Sequence, residues 1–130
     1  MVGIVIVSHS LKVAEGIKEL AMQMADSNQK IIAAGGMEDG AIGTDAVKIS
    51  RAMEEAYTGD GVLVLVDLGS AVLSANMALE LVNPGIAKEI IIADSPVLEG
   101  AISASVQAAI GGNLQEVLEA AELARDVLKL

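Results

Sequence analysis

The single histidine of this chain, His9, follows an uninterrupted apolar run, Ile4–Val7, and sits between two serines, Ser8-His9-Ser10. A second apolar run, Val62–Val66, ends at Asp67 and continues as Leu68-Gly69-Ser70. An imidazole and a carboxylate, each at the end of a short apolar segment, are the parts of a nucleophilic histidine. A carboxylate on Nδ1–H would fix the tautomer and leave Nε2 with a free lone pair. Ser10 and Ser70 each open a helix, and helix N-termini beside the pair would aim backbone N–H groups at an anion on Nε2. Gly69, in the exit loop between Asp67 and Ser70, is a further candidate for binding such an anion. This combination points to transient phosphorylation of the ring. The sequence offers no fixed metal cluster, so amides, hydroxyls and a partner protein would stabilise the charge.

The elements that must deliver these residues follow from the patterning. Short, continuous, β-branched runs suit strands buried on both faces of a parallel sheet. Four are expected: Val2–Val7, Lys30–Ala34, Val62–Val66 and Glu89–Ala93. Between them lie helical stripes. The first carries Leu11, Val13, Ala14, Ile17, Leu20, Ala21 and Met24 and ends near Ala25; the second runs from about Asp45 to Tyr57, capped by Thr44, with Val47, Ile49, Ala52, Met53 and Ala56 inward. A third helix runs from Ser70 to about Val82 and stops at Asn83-Pro84-Gly85; a fourth starts with Pro96 at its first position and runs to about Ile110. Asn113 with Glu116 predicts a capping box opening a last helix to Lys129. Strict alternation predicts an α/β fold with three layers, a four-stranded parallel sheet in order 2-1-3-4 and helices on both faces. Strands 1 and 3 are then neighbours, roughly 4.8 Å apart. His9 and Asp67 would share the crevice at the topological switch, where open α/β folds bind ligands.

Composition closes off several function classes. Eight basic against eighteen acidic residues give a net charge of −10, which argues against nucleic-acid binding. With one aromatic residue, Tyr57, there is little to stack on a base or flavin. No apolar run approaches the length needed to cross a bilayer, and the first one lacks the basic lead and small-residue cleavage site of a signal peptide. The absence of cysteine fits the cytoplasm. The 130 residues, free of linkers or repeats, read as a single domain, 1–130.

Blander roles exist for each residue. His9 could be a structural cap in a non-catalytic dimeric binding module; Asp67, Ser10 and Ser70 could be helix caps. The loop Gly35-Gly-Met-Glu-Asp-Gly-Ala-Ile-Gly43 could be merely flexible, and Met22, Met24, Met53 and Met77 fall at helical spacing as core filler. Neighbouring chemistries on this architecture lack their parts. A receiver domain needs an acidic pair after the first strand, a histidine phosphatase needs an arginine beside the nucleophile and a second histidine, and a Walker loop is missing.

Four stretches carry a resemblance to a known family. Gly3-Ile-Val-Ile-Val-Ser-His9-Ser, Gly35-Gly-Met-Glu-Asp-Gly-Ala-Ile-Gly-Thr44, Val66-Asp-Leu-Gly-Ser-Ala71 and Ser95-Pro-Val-Leu-Glu-Gly-Ala101 resemble the phosphotransferase subunits of phosphoenolpyruvate-dependent dihydroxyacetone kinases. Those belong with the mannose-type IIA domains of the sugar phosphotransferase system. The resemblance spans nearly the whole chain, and the glycine loop is its most specific motif. It implies that His9 takes a phosphoryl group on Nε2 from the histidine phosphocarrier protein, with Asp67 orienting the ring and Ser70 near the phosphoryl group. The acceptor it implies is ADP held on the nucleotide-binding kinase subunit, so no cofactor sits on this chain. Gly35, Gly36, Asp39, Gly40, Gly43 and Thr44 would form a partner loop, and the chain would be a homodimer. Some relatives carry fused phosphocarrier domains; ending after one domain, this chain is expected to use a separate donor protein. Mannose-type IIA domains also exchange a C-terminal strand between protomers, whereas here the end reads as helix. The alternative within the family is a IIA domain of a mannose-type sugar permease, which shares the chemistry and differs in acceptor.

Overall fold

A computed structural model describes the whole chain, Met1–Leu130. The elements in order are β1 (Gly3–Ser8), α1 (Leu11–Met22), β2 (Ile31–Gly35), α2 (Ala46–Ala56), β3 (Val62–Val66), α3 (Gly69–Leu81), a single-turn α4 (Pro84–Ala87), β4 (Ile90–Ile92), α5 (Val97–Ala109) and α6 (Leu114–Leu123), followed by a 3₁₀ turn at Ala124–Asp126. The strands form one sheet in the order β2-β1-β3-β4, parallel throughout, as the patterning predicts.

The two central strands explain their own sequences. Ile4 and Ile6 of β1, with Leu63 and Leu65 of β3, point to the face covered by α1, α5 and α6. Val5 and Val7, with Val62, Val64 and Val66, point to the face covered by α2 and α3. Both faces are therefore dry, and nothing selects for polar alternation. Burying each such side chain stabilises the fold by about 1.5–3 kcal/mol. The helices answer with small residues: Ala71, Ala75 and Ala78 on α3, and Ala101, Ala104 and Ala108 on α5, are all fully buried. Alanine lets the axes of α3 and α5 lie close to the sheet, so against those two helices the strands supply the bulk, whereas α2 adds Ile49 and Met53.

Narrow alanine stripes also explain where the sequence patterning misleads. On α1 only Ala14, Ile17 and Ala21 are buried, while Leu11, Val13 and Leu20 remain exposed, as does Met24 beyond its end. On α2, Val47 is likewise exposed. Of the four methionines expected in the core only Met53 is there; Met22, Met24 and Met77 are 38%, 57% and 60% exposed. Several boundaries shift as well. Asp45, not Thr44, caps α2, its carboxylate accepting from the amides of Val47 (2.9 Å) and Lys48 (3.3 Å); Thr44 is drawn away to Ser74 of α3 (2.6 Å). Helix α1 ends at Met22 rather than near Ala25, β4 is three residues long, and Pro96 precedes α5 as its N-cap. Asn83-Pro84-Gly85 opens the unforeseen turn α4, with Asn83 capping it. The Asn113–Glu116 capping box is present as expected. Helix α6, however, stops at Leu123, because Arg125 turns back to the carbonyls of Glu122 and Asp94, and Lys129 pairs with Glu99 (3.0 Å).

Candidate functional site

Strand register brings the two chemical residues together. Val7 of β1 pairs with Val66 of β3, and the Asp67 amide donates to the Val7 carbonyl (3.1 Å), so the chain ends of both strands leave the sheet side by side. There the Asp67 carboxylate accepts four hydrogen bonds. Its Oδ1 takes the Leu68 amide (2.7 Å) and His9 Nδ1 (3.0 Å); its Oδ2 takes the Ser8 hydroxyl (2.9 Å) and the His9 amide (3.0 Å). Burial by itself would raise this carboxyl's pKa. The opposing hydrogen bonds, led by those from the His9 amide and ring, outweigh burial and hold it below the usual carboxylate value. Asp67 is therefore an ionised, acceptor-only group, and its partner Nδ1 must carry the ring proton.

With the proton on Nδ1, Nε2 of the neutral ring has a lone pair. Ser70 Oγ lies 2.7 Å from it and donates to it. Ser70 is the second residue of α3, whose N-cap position is occupied by Leu68 with no side-chain cap. The amides of Gly69 and Ser70 have no partner within the chain. An uncapped helix start beside Nε2 presents donors and the positive end of the helix dipole to an oxyanion there. The side chains of His9 and Asp67 keep 21% and 17% of their exposure, so both are largely sheltered and each keeps an edge open to solvent. No cluster of three or more His, Cys, Asp or Glu side chains could hold a common metal ion. A cleft of about 570 Å³ beside Asp67, between the ends of β3 and β4, includes Asn76, Asp94 and Ser95 in its lining but not His9. The His9 ring lies outside that cleft, where the ends of β1 and β3 leave the sheet.

The other expected residues fall into place less uniformly. Ser10 caps α1, its Oγ accepting from the Val13 amide (3.3 Å), and it makes no hydrogen bond to the ring. The glycine loop lies against the site. The Gly36 amide donates to the Ser8 carbonyl (3.2 Å), the Gly43 amide to the His9 carbonyl (2.8 Å), and Asp39 accepts from Ala41 within the turn (2.9 Å). Gly36, Gly40 and Gly43 have positive φ. With the Thr44–Ser74 bond, the loop straps the His9 backbone to α3, and its tip presents Ile42, 74% exposed. Two residues were not singled out in the sequence: Ser8, one hydroxyl in an otherwise apolar strand, and Lys48, whose Nζ donates to the Gly35 carbonyl (2.8 Å).

Gly35 sits where β2 passes under the start of α1. A Cβ there would meet the Ser10 carbonyl oxygen at 2.6 Å and Leu11 Cα at 2.8 Å. Gly35→Ala is expected to push the α1 start away from the sheet and to destabilise the fold by about 1–3 kcal/mol. Thermal or urea unfolding measures this, and an unchanged midpoint would contradict it.

The family model of the PTS system fructose IIA component, EIIA-man, matches residues 3–118. The chain belongs to the EIIA-man family. It is 47% identical over 121 residues to the "PEP-dependent dihydroxyacetone kinase, phosphoryl donor subunit DhaM" of Escherichia coli (strain K12), covering 91% of this chain and 26% of that protein. The chain thus spans about a quarter of that relative's length. It is 36% identical over 119 residues to the "PEP-dependent dihydroxyacetone kinase 2, phosphoryl donor subunit DhaM" of Listeria innocua, covering 92% of this chain and 95% of the relative. A solved structure described as that of an unknown-function protein, EF1359, superposes with a TM-score of 0.82 at 36% identity, covering 92% of this chain and 91% of that one. The resemblance seen in the motifs and the EIIA-man fold therefore hold.

Proposed function

We propose that this EIIA-man chain is the phosphohistidine carrier of a phosphoenolpyruvate-dependent dihydroxyacetone kinase. His9 receives a phosphoryl group from the histidine phosphocarrier protein and hands it to ADP held on the nucleotide-binding kinase subunit, so that the regenerated ATP phosphorylates dihydroxyacetone. The observation that carries this reading is the ring clamped between Asp67 at Nδ1 and Ser70 at Nε2, next to the unpaired amides of α3. The names of the E. coli and L. innocua relatives support the choice of kinase.

In the transfer, the Nε2 lone pair forms the new N–P bond as the donor ring's N–P bond breaks. The ring proton stays on Nδ1, where Asp67 offsets the charge that the ring acquires. Ser70 turns its O–H from Nε2 to a phosphoryl oxygen, and the Gly69 and Ser70 amides donate to the same group. Handing the group on reverses these steps. The nucleotide stays on the acceptor, and this chain needs no cofactor or metal of its own. The carrier works as a homodimer in the cytoplasm, and the loop from Gly35 to Thr44 lies where either partner protein would pass.

The test is to incubate the protein with phosphoenolpyruvate and the general phosphotransferase proteins, and then add the ADP-loaded kinase subunit. Acid-labile label should appear on the chain and then leave as ATP. No labelling at all would overturn the reading. Labelling without ATP formation would favour the sugar-permease alternative, which the fructose IIA description of the family model keeps in view. Ser70→Ala removes one hydrogen bond to a charged group, worth about 1.5–3 kcal/mol. Phosphorylation of that variant is expected to slow by roughly 10- to 100-fold in rapid-quench measurements.

A further inference from the structure

We infer that Ser8 is a positioning residue for the His9 phosphoryl-transfer step, its hydroxyl setting the relative placement of the ring and the Asp67 carboxylate. Ser8 is 1% exposed and is the only polar side chain in β1. Its hydroxyl accepts the Ser10 amide (3.1 Å) and lies 2.9 Å from Asp67 Oδ2. The carboxylate is acceptor-only, so the hydroxyl proton must point at Asp67 while the oxygen's lone pair faces Ser10.

One hydroxyl therefore acts on both members of the pair. The bond from Ser10 back to Ser8 spans His9 and closes a serine turn, which sets the backbone from which the imidazole departs. The bond onward to Oδ2 fixes the carboxylate whose other oxygen holds Nδ1. Alanine at this position would leave the Ser10 amide without its acceptor and Oδ2 with the His9 amide alone, with no solvent access at residue 8 to replace the hydroxyl. The looser carboxylate then holds the Nδ1–H tautomer less firmly, and a fraction of rings carry the proton on Nε2, where it blocks the nucleophile. Being sealed from the surface, Ser8 cannot touch either partner protein.

The kinetic consequence rests on the carrier reading; the effect on the ring does not. Ser8→Ala, confirmed folded by circular dichroism, should be phosphorylated roughly 10- to 100-fold more slowly, the scale of one lost hydrogen bond to a charged group. The loss should lie in kcat, with KM for the phosphocarrier protein unchanged. Imidazole ¹⁵N spectra should show Nδ1–H in the wild type and a mixture of tautomers in Ser8→Ala. Ser8→Thr, which keeps the hydroxyl, should recover both readouts. An unchanged ring spectrum in Ser8→Ala would overturn the inference, as would a change confined to KM or a threonine variant as impaired as alanine. If the wild type itself takes up no phosphate, the carrier reading fails, and the ring spectra alone still decide the role of Ser8.

Discussion

His9→Ala is expected to take up no label from phosphoenolpyruvate and the general phosphotransferase proteins, a loss beyond about 10³-fold. The chain holds no second histidine and no cysteine, so no other imidazole or thiolate is present to take the phosphoryl group. Ser70 is close to the reacting position, but an unactivated hydroxyl is a poor nucleophile, and removing the ring removes the only base beside it. The variant should remain folded. The ring is partly exposed, and three of the four donors to Asp67 survive: the Ser8 hydroxyl, the Leu68 amide and the backbone amide of residue 9 itself. Acid-labile label retained by a folded His9→Ala protein would place the chemistry elsewhere.

Asp67→Asn should be nearly as damaging, slowing phosphorylation by about 10³- to 10⁴-fold, the scale seen when an orienting aspartate becomes an amide and the ring tautomer is lost. A carboxylate offers acceptors on both oxygens, and here both are used twice. An amide has one oxygen. If that oxygen faces Nδ1 and Leu68, the NH₂ opposes the Ser8 hydroxyl and the His9 amide. If it is flipped, the NH₂ donates to Nδ1 and drives the proton to Nε2. Either arrangement misplaces the ring or blocks it. Stability should change too. The folded-state pKa of Asp67 is lowered, so its contribution is fully present above the unfolded-chain value, about 3.9, and is lost as pH falls through the lower folded value. Unfolding free energies of wild type and Asp67→Asn should therefore differ at neutral pH and converge in acid below about pH 4. Parallel curves across that range, or wild-type labelling of the variant, would contradict the role given to Asp67.

Much of this geometry was legible from particular residues. The β-branched runs ending at His9 and Asp67 suit strands of a doubly covered sheet, and a parallel sheet in switch-point order places those two ends together. The capping box at Asn113 and Glu116 was equally direct, because both halves lie within one turn of sequence. Helix faces were less legible. The helical stripe of Leu11, Val13 and Leu20 along α1 reads as core, yet the sheet accepts only the width of Ala14, Ile17 and Ala21. Thr44 had the chemistry of a cap and a neighbour, Asp45, with the same chemistry. Which of them caps α2 was decided by Ser74, thirty residues away, which engages Thr44.

From sequence alone came strand and helix identity and the residue types able to carry a phosphoryl group, which depend on patterning and side-chain chemistry within a few residues. Strand order followed from strict β-α alternation. Tertiary structure alone decided how the carboxylate's lone pairs are shared. It recruited Ser8, gave Ser70 rather than Ser10 to Nε2, and left the α3 amides free beside it. The physical reason is that a hydrogen bond is settled within a few tenths of an ångström. That precision arises only when β1, β3 and α3 are packed against one another.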